Sequence, residues 1–415
     1  MPKIFGLLII VVLSLALAAS AEEWPNLFGP RHDGISRESL PREPWPKDGP
    51  ARLWQCEVGP AFSSFAVVAG RVYTCGQEEA KQVLFCLDAE TGRVIWKKAF
   101  EEQFTDPDKH VYGTRATPTI DDGRVFVLGG HGRLLCCDAK DGREIWSHTF
   151  TSRPHWGYSG SVLIEGNLAM IGAGGKEGSL CAMDKATGKF IWTCGDDPAA
   201  YATPRAFTFE GRRYVCGFQA ESFIVAEIDS GQQVLRVPWP SHSGVNVSTP
   251  LFHDGHLFVS TGYGYGSALF KLKSDKDQLV ATEVWKTTRF RNKLQTPILF
   301  DGHLYGSDET GLKCIDFMTG ELRWRKKGFM HGTMILADGR LLLFTEKGGL
   351  YLADASTEDF KPTASAKLFE GSSYNALSRD QGERCWTVPV LSDGRLYVRD
   401  HTTVVCLDLR NSPKE

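Results

Sequence analysis

The sequence has almost no net charge and lacks the motifs of several common enzyme classes. Its 47 Lys and Arg residues nearly balance its 50 Asp and Glu residues, which leaves a formal charge of -3 at pH 7. No basic excess therefore favours nucleic acid or an anionic membrane as a partner. A Gly-x-Ser-x-Gly sequence is absent, and spacing assigns no Ser-His-Asp set. We therefore predict no catalytic residue.

Long apolar runs are missing after the first twenty residues. The one such run, Ile4 to Ala19, follows Lys3 and precedes the small-residue sequence Ala19-Ser20-Ala21. This order is typical of a signal peptide that is cleaved before Glu22, and an uncleaved anchor is the alternative. No cysteine lies near the cleavage site to carry a lipid. We expect an exported protein, periplasmic or secreted, with a signal peptide over residues 1–21 and no transmembrane segment in the mature chain.

Eleven cysteines in an exported chain suggest disulfides, but their positions argue otherwise. Cys86, Cys136, Cys314 and Cys406 each lie two residues before an aspartate in matching segments. A residue that recurs at one position of a repeat is most simply a small core hydrophobe. Equivalent positions in different repeats also lie too far apart to be bridged.

Four segments share an aspartate eight residues before a tryptophan, and most carry Thr-Gly between the two. They are Leu87–Trp96, Cys137–Trp146, Met183–Trp192 and Ile315–Trp324. We interpret each as a β-hairpin: one strand ends at the Asp, whose carboxylate accepts turn N–H groups. The Gly supplies a positive φ, and the next strand carries the Trp.

Two series of markers each count eight such units. The tryptophan anchors are Trp54, Trp96, Trp146, Trp192, Trp239, Trp285 and Trp324, with Phe369 in the eighth place. The second series consists of glycine turns between apolar runs, at Gly70, Gly123, Gly166, Gly211, Gly255, Gly302, Gly339 and Gly394. Each unit therefore has four short antiparallel strands, as in a propeller blade.

The two ends of the chain favour a closed ring over a solenoid. The last unit, Cys385 to Leu409, lacks a fourth strand, and the strand around Trp54 has no blade before it. Together they complete one blade and remove the open edges. We predict an all-β, eight-bladed propeller over residues 51–410, closed by an N-terminal strand around Trp54 that completes the C-terminal blade. Residues 22–50 form a leader, and residues 411–415 form a tail.

The Asp-x-x-Thr-Gly-x-x-x-Trp repeat resembles the tryptophan-docking motif of the pyrroloquinoline-quinone (PQQ)-like propeller superfamily. The segment Trp24-Pro25-Asn-Leu-Phe28-Gly29-Pro30-Arg31-His-Asp33-Gly34 resembles the leader of exported planctomycete-type members. This resemblance implies one of two functions. Quinoprotein dehydrogenases hold PQQ and Ca²⁺ in the central funnel, whereas BamB-type proteins bind protein partners.

The motifs expected for a quinoprotein are incomplete. Dehydrogenases of this superfamily resemble one another in a vicinal Cys pair, and this chain has Cys136-Cys137. Cys136 nevertheless occupies the core position of Cys86, and consecutive strand residues point to opposite faces. No acidic-plus-Asn set offers the several oxygen ligands that Ca²⁺ needs. We predict no metal site, and PQQ with Ca²⁺ has no clear ligand set.

Residues just before the first strand of each blade are predicted to face the central funnel. The ligand-binding candidates are Arg115, His155, Trp156, Tyr158, Asn246, His331, Arg384 and Trp386, with Ser63, Ser64, Tyr201 and Gln295 at the same position. Aromatic and cationic groups that converge in this way suit an anionic or sugar-like ligand. The alternative for each residue is that it only lines a polar, hydrated channel.

Three functions follow from these observations. The leading hypothesis is a monomeric, non-enzymatic binding or scaffold protein of the cell envelope, whose partner is a protein or an envelope component. The second is a PQQ-dependent dehydrogenase. The third is a propeller that binds or acts on carbohydrate, which the aromatic funnel residues suggest.

Overall fold

The computed structural model describes residues 22–42, 45–107, 112–370 and 384–410, and these residues form an eight-bladed β-propeller. This confirms the predicted fold class. The first four blades are β3–β6 (Ala66–Val68, Arg71–Glu78, Lys81–Asp88, Val94–Glu102), β7–β10 (Thr119–Asp121, Arg124–Leu128, Arg133–Asp138, Glu144–Thr149), β11–β14 (Leu163–Glu165, Leu168–Ile171, Leu180–Asp184, Phe190–Cys194) and β15–β18 (Arg205–Phe209, Arg212–Phe218, Ser222–Glu227, Gln233–Pro238).

The remaining four blades follow the same antiparallel order, and one of them combines both ends of the propeller. They are β19–β22 (Leu251–His253, His256–Thr261, Gly266–Asp275, Gln278–Thr287), β23–β26 (Ile298–Phe300, His303–Asp308, Gly311–Asp316, Leu322–Lys326), β27–β30 (Thr333–Ala337, Arg340–Phe344, Gly349–Asp354, Pro362–Lys367) and β31–β33 (Val390–Ser392, Arg395–Arg399, Thr403–Asp408) with β2 (Arg52–Glu57). Short 3₁₀ turns lie at Gly175–Glu177 and His242–Gly244.

Blade eight closes the ring as predicted. Strand β2 pairs antiparallel with β33 and places Trp54 directly opposite Cys406. The Trp54 Nε1–H then donates to the carbonyl oxygen of Ala89 in blade one, at 3.0 Å. The ring is therefore held by a blade made from two distant parts of the chain, and by a tryptophan that docks on the next blade.

The same docking contact recurs around the ring. The indole N–H groups of Trp96, Trp146, Trp192, Trp285 and Trp324 donate to the carbonyl oxygens of Ala139, Lys185, Ile228, Phe317 and Ser356 in the following blade, at 2.7–3.1 Å. The accepting turn carries the predicted Asp and Gly: Asp88 Oδ1 accepts the Thr91 N–H at 2.8 Å. Gly92 has φ 71°, and a Cβ there would lie 2.5 Å from the Trp54 ring. The glycine is thus required by both conformation and space.

Two predicted anchors do not dock in this way. A β-bulge in the fourth strand lies directly before each docking tryptophan, as at Ile191, which is unpaired between Phe190 and Trp192. In blades four and seven the residues that directly follow the bulge are Leu235 and Ala364. Trp239 lies beyond β18, and its Nε1–H donates to Thr261 Oγ1 at 3.0 Å. Phe369 lies beyond β30, against Phe344. Spacing alone cannot locate the bulge.

The cysteines form part of the blade cores. All eleven lie in the described part of the chain, and no disulfide joins them. Cys86, Cys136, Cys314 and Cys406 are fully buried, each paired directly with a docking tryptophan on the neighbouring strand. Burial raises the pKa of Cys136 to about 12 and also raises that of Cys137, which keeps both thiols protonated at neutral pH.

The leader lies inside the ring. First strands of successive blades contact one another around the centre, and the leader pairs with these inner strands. Trp24 exchanges two backbone hydrogen bonds of 2.8 Å with Val67 of blade one. Strand β1 (Ile35–Ser36) pairs in parallel with β27 of blade seven. Trp24 is 0% exposed. The leader therefore crosses and fills one end of the channel, and it was not expected there from the repeat pattern.

Candidate functional site

A cavity of about 260 Å³ occupies the other end of the channel, where the first strands begin. We call it the funnel cavity. Its floor is the leader, through Leu27 and Phe28. Its walls come from residues that precede or begin the first strands, together with one loop of blade five. The wall residues are Phe62, Ser64, Arg115, Thr117, Trp156, Ser159, Tyr201, Thr203, Val247, Thr249, Tyr263, Lys293, Leu294, Gln295, Thr296, Trp386 and Val388.

A belt of side-chain hydrogen bonds fixes the lower wall. Most of the Thr, Ser and Gln residues at these strand starts bond through their side chains to the backbone of a neighbouring blade. The bonds run from Ser64 N to Thr117 Oγ1, Thr117 N to Ser161 Oγ, Ser161 N to Thr203 Oγ1, Thr249 N to Thr296 Oγ1, Met334 N to Gln295 Oε1, Thr333 Oγ1 to Thr387 O and Ser64 Oγ to Val388 O, at 2.7–3.2 Å. Arg205 Nε–H donates to Pro250 O at 3.3 Å between blades four and five. The wall is thereby held in register.

Arg115 is the main cationic group of the wall. Its Nη2 donates to the carbonyl oxygens of Trp156 and Gly157, and its guanidinium carbon lies 5.4 Å from the centre of the Tyr201 ring. In the described part of the chain its Nε is buried without a hydrogen-bond partner. Burial lowers the pKa of Arg115 to about 10, which still leaves the guanidinium protonated at neutral pH.

Aromatic rings surround this cation. The Trp156 and Tyr263 rings are nearly parallel, 10° apart, with centres separated by 6.1 Å. Lys293 Nζ lies 4.4 Å from the centre of the Tyr263 ring, and burial lowers the pKa of this lysine. On the opposite side Phe62 packs against Trp386 at 5.4 Å. None of the residues that line the funnel cavity carries a carboxylate.

The structure brings some predicted funnel residues together and separates others. Arg115, Trp156 and Trp386 line the funnel cavity, as do Ser64, Tyr201 and Gln295. His155 lines an adjoining opening with Trp156, His242 and Tyr263. His331 and Trp386 both contact Glu346 Oε2, at 3.3 Å, and the Arg384 guanidinium lies 5.1 Å from the Trp386 ring centre, so these residues support the wall.

Tyr158 and Asn246 do not reach the funnel cavity. The Tyr158 hydroxyl donates to Ala173 O at 2.8 Å within the core. The Asn246 side chain is fully buried and bonds to Gln219 O and Thr261 Oγ1. The structure thus places both side chains in the core, because position before a strand does not fix which way a side chain points.

Sequence reasoning missed more than half of the lining residues, including five that form the floor or contribute a ring or a charge. Phe62 and Lys293 lie just before first strands, so the rule that selected Arg115 also covers them. Tyr263 belongs to the Gly262–Gly266 turn between β20 and β21, away from the strand starts that the sequence rule considers. Leu27 and Phe28 belong to the leader, and no repeat pattern indicated their place.

Comparison with known proteins identifies the family. The PQQ_2 family model, described as outer membrane protein assembly factor BamB, matches residues 46–148 and 109–326. The chain belongs to this family. No curated protein matches the sequence significantly.

Solved structures share the fold of this PQQ_2 member at low identity. BamB from Moraxella catarrhalis is 13% identical, with a TM-score of 0.60 over 88% of this chain and 99% of that one. The quinohemoprotein alcohol dehydrogenase of Comamonas testosteroni is 13% identical, with a TM-score of 0.61 over 95% and 82%. Sqt1 of Saccharomyces cerevisiae is 9% identical, with a TM-score of 0.58 over 87% and 99%. Such identities support the fold alone.

Proposed function

We propose that this protein is an exported, non-enzymatic binding protein of the cell envelope that holds an anionic group of its partner in the funnel cavity. The observation that carries the proposal is Arg115. Its guanidinium lies in a cavity wall without carboxylates, and burial lowers its pKa even though the charge of Asp106 acts in the opposite direction. A buried charge is costly, so a bound anion would stabilise it.

The rest of the wall restricts what carries that anion. Trp156, Tyr263, Phe62 and Trp386 offer flat apolar faces, and Leu27 and Phe28 make the floor apolar. Flat rings and sugar faces pack well on such surfaces. A volume of about 260 Å³ is at the lower end for small-molecule sites. The funnel cavity therefore suits one compact group, such as a single acidic ring displayed by a larger envelope component.

The residues that line the funnel cavity do not fit the Ca²⁺ ion that accompanies PQQ. Calcium takes six to eight oxygen ligands, with carboxylates prominent among them. The cavity wall supplies hydroxyl groups and the amide of Gln295 but no carboxylate. Within the described residues, no group of three or more His, Cys, Asp or Glu side chains comes together. Cys136 and Cys137 lie in blade cores and do not line the cavity.

Retention of an envelope component on immobilised protein tests the proposal. We expect wild type to retain a component that is released by benzoate or glucuronate but not by benzamide or glucose. Arg115→Met and Trp156→Ala should lose it, because the first removes the charge and the second a flat face. Arg212→Met is the matched control, since Arg212 is an exposed arginine of β16 paired with Glu227. Equal retention by Arg115→Met would overturn the proposal.

Carbohydrate is the second candidate partner, favoured by the nearly parallel rings of Trp156 and Tyr263. The two acidic probes separate the cases, because release by glucuronate alone identifies an acidic sugar and release by benzoate alone an aromatic acid. A dehydrogenase is tested separately. We expect no dye reduction when the protein is supplied with PQQ, Ca²⁺ and a panel of alcohols, and turnover in that assay would replace a binding function with an enzymatic one.

A further inference from the structure

The backbone nitrogen of Glu22, at the start of the leader, contacts a buried carboxylate that also binds blade eight. Its N–H donates to Glu38 Oε1 at 2.9 Å, and Glu38 is 6% exposed. The same carboxylate accepts the backbone N–H groups of Asp393 and Gly394 in blade eight, at 2.6 and 2.7 Å. Glu38 is thus the point where the start of the leader is fixed to the last blade.

The Glu38 carboxylate has no cationic partner in the residues that the structure describes. The nearby arginine of the leader is used elsewhere, because Arg31 pairs with the side chain of Glu22 at 2.5 Å. A buried carboxylate that accepts only neutral N–H groups is less well compensated than one that also contacts a positive charge.

We propose that removal of the signal peptide creates the missing positive charge, and that the new α-ammonium group of Glu22 pairs with Glu38 to fix the leader in the channel. The reaction is hydrolysis of the Ala21–Glu22 peptide bond by a signal peptidase. The C–N bond breaks, water adds OH to the carbonyl carbon of Ala21 and H to the nitrogen of Glu22, and a carboxylate and an amine result. The amine takes up a proton near neutral pH, since α-amino groups have a pKa of about 8. The neutral N–H donor to Glu38 thereby becomes a charged one.

Fixing the leader has a consequence for the binding site. Glu22 is also bound through its carbonyl oxygen to Ser392 Oγ at 2.7 Å, and Trp24 follows in the channel. Leu27 and Phe28, a few residues further, form the floor of the funnel cavity. Cleavage should therefore strengthen the anchoring of the cavity floor as well as release the chain. This step rests on the export that belongs to the proposed function.

A cycle of variants in the exported full-length protein tests the pairing. Intact mass first establishes whether the exported chain begins at Glu22. A chain that is neither cleaved nor exported contradicts the export step, whereas an exported chain with another start contradicts the pairing. A glycine is then inserted after Ala21, so that cleavage leaves the ammonium one residue away from Glu38. We expect the insertion to lower the thermal midpoint in wild type by a few degrees and to have almost no effect with Glu38→Gln.

The matched control is Asp338→Asn, because Asp338 also holds the leader, through the N–H of Leu40 at 3.3 Å, without contacting Glu22. The insertion should keep its full effect in that background. If Glu38→Gln does not fold, Glu38→Asp, which withdraws the charge by one methylene, takes its place in the cycle. The pairing is wrong if the insertion lowers the midpoint equally in both Glu38 backgrounds, or in neither.

Discussion

The rim and the centre of this ring are built in opposite ways. At the rim, six tryptophans make one contact six times, each with a carbonyl in a turn of the next blade. At the centre, several blades add side chains that differ from blade to blade, such as Arg115, Trp156 and Lys293, and the leader supplies a floor that no blade repeats. Repetition gives the rim its stability, while the absence of repetition makes one end of the channel chemically distinct from every other surface.

The largest expected effect at the rim is at the closing strand. Trp54→Ala should lower the free energy of unfolding by about 3–5 kcal/mol, because it removes a buried indole and weakens the only blade assembled from both ends of the described chain. Chemical denaturation followed by circular dichroism measures it. Trp54→Phe keeps an aromatic ring but loses the hydrogen bond to Ala89. Loss of this bond should lower the free energy of unfolding by about 1 kcal/mol, in addition to the effect of the smaller ring. Equal midpoints for the two variants would contradict this account.

Glycine is needed in the turns for its positive φ and for the close approach of an indole ring. Two glycines allow these two effects to be measured separately. Gly188 has φ 71°, and a Cβ would lie 2.6 Å from the ring of Trp146. Gly123 has φ 69° with nothing within 4 Å of the same position. Gly123→Ala should cost about 1 kcal/mol from backbone strain, and Gly188→Ala about 2–3 kcal/mol because the indole must also move. Thermal melting of both variants tests this, and equal losses would remove the packing argument.

The centre should respond to pH more than the rim. Burial, with a contribution from the charge of Arg205, lowers the pKa of His32 in the leader to about 4. In the unfolded chain this histidine takes up a proton near 6.5. Stability should therefore be full above pH 6.5, fall as pH decreases toward 4, and change no further below that value.

The measured quantity is the difference between wild type and His32→Asn, since Asn tolerates the positive φ of 56° at this residue. Wild type should lose about 2 kcal/mol more than the variant between pH 7 and pH 4. His401, whose pKa burial also lowers to about 4, keeps a similar slope in both proteins. Parallel pH curves for the two proteins would exclude His32 as a cause.

The smallest effect is expected in the belt. Ser64→Ala removes the 2.7 Å bond from Ser64 Oγ to Val388 O between blades one and eight. The loss should be about 1 kcal/mol, the usual net value of one such bond. Ser230→Ala, in an exposed turn, is the control and should cost less. Faster amide exchange confined to the seam of these two blades would support the assignment, and an equal change with both variants would not.

The sequence predicted the rim because the rim repeats. Asp88, Gly92 and Trp96 recur with fixed spacing, so the hairpins, the blade number and the closure by β2 could all be inferred. Trp239 and Phe369 were predicted as docking anchors, but the pairing of the strands places Leu235 and Ala364 at the docking position instead. A bulge depends on strand pairing, which the spacing of one residue type does not encode.

The centre could be predicted only in part, for a related reason. Arg115, Trp156 and Trp386 follow from their position before a strand, whereas Tyr158 and Asn246 share that position and point into the core. Leu27 and Phe28 depend on contacts between the leader and blades far away along the chain, such as Ile35 with Leu336. The likeness of the leader to exported planctomycete-type proteins stays a prediction. Among the described residues, no helix is long and apolar enough to cross a membrane.

The seam in blade eight also sets the order in which the molecule can be assembled. Strand β2 is synthesised before the seven blades that separate it from its partner β33, which ends at Asp408. Trp54 can pack against blade one early, but the blade that contains it cannot exist until some 350 further residues have been made. The slow step of folding should therefore be the pairing of β2 with β33, and until then the ring stays open with seven blades already able to form.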